Sequence, residues 1–273
     1  LKSMGFMVLS RYVVQHYPSL EAYCEHLLTR EDIVDLKPLR QRLTYVQMFS
    51  IKLMELKRNL DVSRSVGTEE QAMIFARELM KLYLNAPEGV SSPWFGPAAS
   101  DLLHEIYGLP IDRFKEGKLA SNRFVLERLD QIRRKVESAE DPVFAGLQFS
   151  SLGNYLDFSA LQGQVSYEKL DEMLENALKM ELDTDIYRQL LSDLEKGKKV
   201  LYLTDNAGEI AFDRIFGEEI QKKFPHLDIT FCVRGGYANN DATREDAKIV
   251  GIPFPVIDNG AAIAGTELSM LGE

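Results

Sequence analysis

The stretch Lys198-Lys199-Val200-Leu201-Tyr202-Leu203-Thr204-Asp205-Asn206-Ala207-Gly208-Glu209-Ile210 decides the fold. A charged pair gives way to four apolar residues, the pattern of a short strand buried on both faces. A polar Asp-Asn-Ala-Gly-Glu turn follows, and then Ile210, Phe212, Ile215, Phe216, Ile220 and Phe224 recur at helical spacing. The alternation repeats downstream. Ile229-Thr230-Phe231-Cys232-Val233, β-branched and aromatic, predicts a second strand, 243–250 a helix, and Phe254-Pro255-Val256-Ile257 a third strand. Strand, helix, strand, helix, strand in that order predicts parallel pairing through right-handed crossovers.

Upstream, 20–197 reads as almost entirely helical. Leu39, Leu43, Val46, Phe49, Leu53, Leu56 and Leu60 fall at spacings of three and four, on one helix face. Thr68 with Gln71 three residues on resembles a capping box, opening a helix with Met73, Ala76, Leu79, Met80 and Tyr83 as its stripe. The breaker-rich segment 91–97 predicts a loop, and helices are expected over 98–107, 122–137 and 166–195, the last broken near Thr184. The expected architecture is therefore α/β. A helical region, 1–196, precedes a three-layer α/β/α domain, 197–273, with a mainly parallel sheet.

Composition narrows the function. Lys and Arg number 32 against 42 Asp and Glu, a net charge of −10 over 273 residues. So acidic a chain does not offer nucleic acid a generally basic surface, and a small or locally neutralised partner suits it better. No run approaches the ~18–20 apolar residues of a membrane span, and the first ten residues lack the long apolar core of a signal peptide. A soluble, cytoplasmic protein is expected, and Cys24 and Cys232 read as two reduced thiols.

In an open parallel sheet the ligand crevice lies beyond the carboxyl ends of the strands. Two loops there are unusually polar, Thr204-Asp205-Asn206-Ala207-Gly208-Glu209 and Arg234-Gly235-Gly236-Tyr237-Ala238-Asn239-Asn240-Asp241. If their strands are neighbours, Asp205, Asn206 and Asp241 converge as three hard oxygen donors, suited to Mg²⁺ or Mn²⁺. Gly208 at a helix N-terminus and Gly235-Gly236 could bring backbone N–H groups to an anion, and Arg234 could clamp it. The same residue types also serve as ordinary caps and turns, and Asp246 and Glu245 read as capping and solvated residues. A third polar island, Gly153-Asn154-Tyr155-Leu156-Asp157-Phe158, sets Asn154 and Asp157 three apart among apolar residues.

These motifs together resemble the DUF89, or ARMT1-like damage-control phosphatase, family. The resemblance runs from about residue 90 to 265. It rests on Asp205-Asn206-Ala207-Gly208-Glu209 with Phe212-Asp213, on Arg234-Gly235-Gly236 with Asn240-Asp241-Ala242-Thr243 and Asp246-Ala247, and on Gly153-Asn154-Tyr155-Leu156-Asp157-Phe158. It implies a metal-dependent phosphatase acting on phosphorylated small metabolites such as sugar phosphates or phosphopantetheine derivatives. Asp205, Asn206 and Asp241 then match the ligands of a divalent metal (Mn, Mg, Co or Ni), and Asp205 and Glu209 the catalytic acids. Asn154, Asp157, Gly208, Arg234, Gly235 and Asn240 match the substrate side. Two departures stand out: the family's Lys-Gly-Gln-Gly-Asn type motif would fall after Glu273, so the domain is expected to be incomplete at its C-terminus, and Cys24 lacks a Cys-x-x-Cys partner. Two other readings are kept. One is an S-adenosylmethionine-dependent carboxyl methyltransferase, an activity proposed for one branch of the family, although no G-x-G-x-x-G follows a strand. The other is a non-catalytic metabolite-binding protein.

Overall fold

The computed structural model describes residues 57, 60–87, 90–153 and 167–272. The helix read over 39–60 lies outside them except for Lys57 and Leu60, as do Cys24, Asn154 and Asp157. The chain divides into two compact units, Leu1–Ile111 and Asp112–Glu273.

In the first unit, α1 (Glu69–Leu84) and α2 (Phe95–Tyr107) pack together through Phe75, Leu79, Ala99 and Leu103. Thr68 caps α1 as read: its hydroxyl accepts the Gln71 N–H at 3.2 Å, and Gln71 Oε1 accepts the Thr68 N–H at 3.0 Å. The buried stripe is Ala72, Phe75 and Leu79, while Met73 and Met80 are exposed, so the helix turns a partly different face to its core from the one the spacing predicts. The breaker segment is a 3₁₀ turn, Ser92–Trp94, running straight into α2. Pro97 lies in the first turn of that helix, where no intrahelical N–H is required.

The second unit holds α3 (Lys115–Leu126), α4 (Leu129–Glu137), α5 (Pro142–Gly153), α6 (Tyr167–Asn176) and α7 (Thr184–Lys196). Then β1 (Lys199–Leu203), α8 (Glu209–Lys223), β2 (Asp228–Val233), α9 (Arg244–Val250) and β3 (Val256–Asp258) alternate as the sequence predicts. The stretch 122–137 is two helices rather than one. Arg128 sits at the break, its guanidinium over the Phe124 ring at 3.9 Å and its Nε 2.5 Å from Asp171 Oδ1.

The sheet is parallel throughout, in the order β1-β2-β3, with Leu201 opposite Thr230 and Phe231 opposite Val256. Because each strand steps the same way across the sheet, two right-handed crossovers land on one face. Ile210, Ala211, Phe212 and Ile215 of α8 accordingly share a core with Ala247 and Val250 of α9 and with Phe149 and Leu152 of α5. Rings of Tyr202, Phe231 and Phe254 stack at 4.6 and 5.3 Å. The opposite face leaves Leu201 57%, Leu203 64% and Ile257 44% exposed, which corrects the reading of β1 as buried on both sides.

Helix α5 presents no charged face: eight of its twelve residues are buried, Gln148 and Ser150 among them, as suits a helix largely surrounded by protein. It meets α8 at two glycines. A Cβ on Gly146 would lie 3.2 Å from Phe216 Cα, and one on Gly153 would lie 2.6 Å from Glu209 Cγ. Both pairs are spaced by seven residues in opposite order, so the helices run antiparallel at very close range. No described helix is long and apolar enough to cross a membrane.

Candidate functional site

The carboxyl ends of β1 and β2 carry the two polar loops, and parallel pairing of the strands makes them neighbours. The loops are then joined to each other directly. Asn206 and Asp241 form an antiparallel bridge, with the Ala207 N–H donating to Asn240 O at 2.9 Å and the Ala242 N–H to Asp205 O at 2.6 Å. A second bridge, Arg234 with Thr243, uses the Arg234 N–H and Ala242 O at 2.9 Å. Backbone therefore fixes the residues that sequence reading placed together only conditionally.

The side chains complete the cluster. Arg234 Nε donates to Asp241 Oδ2 at 2.6 Å and its Nη2 to Asp205 Oδ1 at 3.2 Å, so one guanidinium spans both carboxylates. Asn206 Oδ1 accepts from Asn240 Nδ2 at 2.8 Å, while Asn206 Nδ2 donates to Asp205 Oδ2 at 3.2 Å and to Glu209 Oε2 at 3.1 Å. Asn206 and Asp241 are buried, whereas the Asp205 side chain is 46% exposed. Asp205 is the carboxylate that a ligand from solvent reaches first. Asp205, Asn206, Glu209, Arg234, Asn240 and Asp241 are thus brought together as one hydrogen-bonded set.

Beneath Glu209, one helical turn along α8, lies Asp213, whose Oδ1 accepts from Ser150 Oγ at 2.6 Å and Tyr202 Oη at 2.8 Å. Burial pushes the Asp213 carboxyl up to about 7, against those two hydrogen bonds, which favour its charged form, and with help from the Asp205 charge. Burial, followed by the charges of Asp213 and Asp205, holds the Glu209 carboxyl well above the usual range, while hydrogen bonds from Asn206 pull the other way. Carboxyl groups therefore outnumber the one guanidinium in the cluster.

That imbalance bears on whether a divalent cation would fit. Among the described residues no group of three or more His, Cys, Asp or Glu side chains is arranged to hold a metal ion. The donor set here is two carboxylates and an amide oxygen. All of them are hard oxygens, drawn together where negative charge is in excess, which suits Mg²⁺ or Mn²⁺ rather than a soft metal.

The glycines serve differently from the sequence reading. The Gly208 N–H is taken by Asn122 Oδ1 at 2.7 Å, and the Gly235 N–H by Asn259 Oδ1 at 2.8 Å and Ala261 O at 2.9 Å, so neither is presented to an anion. Gly208 is glycine because its φ is +85°, and Gly235 because a Cβ there would lie 2.5 Å from Ala261 N. Asn154 and Asp157 fall outside the described residues. Gly153, the last described residue before them, lies against Glu209. Sequence reading missed Asn122 and Lys118, both buried beside the site, and saw in Asp246 only a cap.

A parallel strand-helix repeat whose two loop ends pool an Asp-Asn pair and a distant Asp belongs to a recognisable class. The chain belongs to the family of the damage-control phosphatase ARMT1-like domain, which matches residues 46–252. Among its relatives are an uncharacterized protein of Methanocaldococcus jannaschii, 37% identical over 68% of this chain and 61% of its own, and a damage-control phosphatase of Pyrococcus horikoshii, 32% identical over 59% and 54%. A damage-control phosphatase of Archaeoglobus fulgidus is 33% identical over 55% and 50%. The chain thus spans between half and about three-fifths of these relatives' lengths. The crystal structure of a DUF89 family protein from Pyrococcus horikoshii superposes with a TM-score of 0.64 at 25% identity, over 84% of this chain and 78% of that one.

Proposed function

We propose that this protein is a metal-dependent phosphomonoesterase of metabolite damage control, acting on phosphorylated small molecules. The observation that carries the reading is the convergence of Asp205, Asn206 and Asp241 on one sheet edge, with Arg234 between the two carboxylates. Names borne by two of the relatives, damage-control phosphatase, support the same class.

Asp205, Asn206 and Asp241 would hold the divalent cation, which when bound polarises a phosphoryl group and offsets the charge that grows on it. Arg234 supplies a fixed guanidinium whose planar fork matches phosphate oxygens. Asp205, being half-exposed, meets the phosphorus side of the ligand, either as nucleophile or as the group that orients a water. Glu209 accepts from Asn206 Nδ2 and so fixes which end of that amide would be left to a cation.

The test is hydrolysis of p-nitrophenyl phosphate and a panel of sugar phosphates, after chelation and again with Mg²⁺, Mn²⁺, Co²⁺ or Ni²⁺ restored. Activity should vanish on chelation and return with at least one ion, and Asp205→Ala should abolish it while the protein stays folded. A fully active Asp205→Ala protein, or full activity in chelator, sinks the reading.

A further inference from the structure

Helix α3 lies outside the strand-helix repeat, yet two of its polar side chains are buried next to both loops: Asn122 is 0% exposed and Lys118 5%. Asn122 uses both ends of its amide. Its Oδ1 accepts the Gly208 N–H at 2.7 Å, and its Nδ2 donates to Asp246 Oδ1 at 2.8 Å. The other oxygen of Asp246 accepts the N–H and the hydroxyl of Thr243, each at 2.8 Å, and pairs with Lys118 Nζ at 2.7 Å. Lys118 Nζ also sits 5.9 Å from the centre of the Tyr237 ring.

The placement of these partners gives the network its meaning. Gly208 starts the helix that follows Asp205 and Asn206, and Thr243 starts the helix that follows Asp241. A single buried amide, 86 residues from one partner and 124 from the other, therefore ties the launch points of both ligand-bearing loops to a third element. Gly208 also presses on α3, since a Cβ there would lie 3.0 Å from Ser121 Cβ. Removing the amide leaves a buried N–H and one carboxylate oxygen without partners, and both sit at helix starts that aim the donors.

We propose that Asn122 is a positioning residue, with Lys118 as the counter-charge to Asp246, and that together they set the spacing of Asp205 and Asn206 relative to Asp241. The proposal rests on the metal-site reading above. Groups hydrogen-bonded directly to metal ligands change affinity about 10–100-fold when removed, which sets the scale for Asn122 acting one residue further out through Gly208 and Asp246.

The experiment measures Mn²⁺ binding by calorimetry, and, without metal, amide exchange at Gly208, Ala207 and Ala242. The proteins are wild type, Asn122→Ala, Asn122→Asp, the swap Asn122→Asp with Asp246→Asn, and a core control, Val136→Ala. Asn122→Ala should bind Mn²⁺ about 10–100-fold more weakly and exchange faster at all three amides. Val136→Ala should keep wild-type affinity even where it costs as much stability. Asn122→Asp sets two carboxylates face to face and should lose affinity. The swap returns one donor and one acceptor to the pair and should recover most of it. If Asn122→Ala does not fold, Asn122→Ser, which keeps a polar group but falls one bond short of both Gly208 and Asp246, replaces it with the same expected loss. Wild-type affinity in a folded Asn122→Ala or Asn122→Ser protein, or a swap no better than Asn122→Asp, overturns the positioning role while leaving the phosphatase reading intact. Failure of the wild type to bind any divalent ion overturns both.

Discussion

Gly153→Ala adds one methyl group at the end of α5, and its consequence can be worked from the contacts. The new Cβ would lie 2.6 Å from Glu209 Cγ and 3.0 Å from Glu209 Cα and Cβ. Carbon atoms rest about 3.5–4.0 Å apart, so the gap must open by about 0.5–1 Å. Rotating the Glu209 side chain relieves only the first clash. The other two involve atoms fixed to the backbone, so α8 itself must move at its first residue, which adjoins Asn206. Overpacking of this kind costs about 1–3 kcal/mol, and the better helix propensity of Ala returns up to about 1 kcal/mol. A net loss of ~1–2 kcal/mol and a fall in Tm of a few degrees are expected. Activity should fall further than stability, because a misplacement of about 1 Å near reacting groups costs on the order of a hundredfold. Gly146→Ala is the matched control, crowding Phe216 Cα at 3.2 Å two turns from the site. Thermal denaturation and kcat/KM on a phosphomonoester, measured on both variants, separate the effects. Wild-type kcat/KM in Gly153→Ala, or an equal loss in Gly146→Ala, refutes the reasoning.

Asp213→Asn should change how stability depends on pH. Burial pushes the folded carboxyl up to about 7 from the ordinary aspartate value of 3.8, so its contribution is fully present below pH 3.8 and is lost as pH rises through 7. Asparagine can still accept from Ser150 and Tyr202, so Tm of the variant relative to wild type should rise between pH 5 and pH 8; a constant difference across that range counts against it. Arg234→Gln removes the cation shared by Asp205 and Asp241. Its Tm without metal should drop, and the rise in Tm on adding Mn²⁺ should exceed the wild-type rise; equal rises would contradict the shared charge balance. Gly235→Ala drives a methyl group to 2.5 Å from Ala261 N. It should lower Tm by a few degrees without changing Mn²⁺ affinity, by calorimetry, if Gly235 serves packing alone.

What was legible in the sequence was local. Strands and helices of the 199–258 repeat follow from apolar periodicity and from breakers at each turn, and the ligand loops follow from where such a sheet ends. The polar set of Asp205, Asn206, Glu209, Arg234, Asn240 and Asp241 came through because each residue lies in a loop that directly follows a strand, or at the helix start that ends it. Exposure of Leu201 and Leu203 was not legible, since four apolar residues look alike whether one face or two is covered. Crossover handedness and strand order decide that, and both belong to the sheet rather than to the strand.

The glycines and Asn122 show a second limit, and it bears on how the site is held. A glycine in a turn advertises freedom of φ or room for a neighbour, and its identity does not say which. Gly235 and Gly153 are glycines for room: one admits the 259–261 segment and the other lets α5 reach Glu209. Asn122 on its own is one amide in an amphipathic helix, and only the fold reveals that its two ends meet Gly208 and Asp246. The residues that face a ligand were thus readable from chemistry and spacing. Those that fix their separation come from α3 and α5, elements that share no motif with the loops they support. A site of this design tolerates little movement, because its donors are aimed by three independent contacts: the loop-to-loop bridge, the Gly153 packing and the Asn122 amide. Loss of any one should disturb geometry before it disturbs folding, since α5, α8 and α9 keep their shared apolar core in each case.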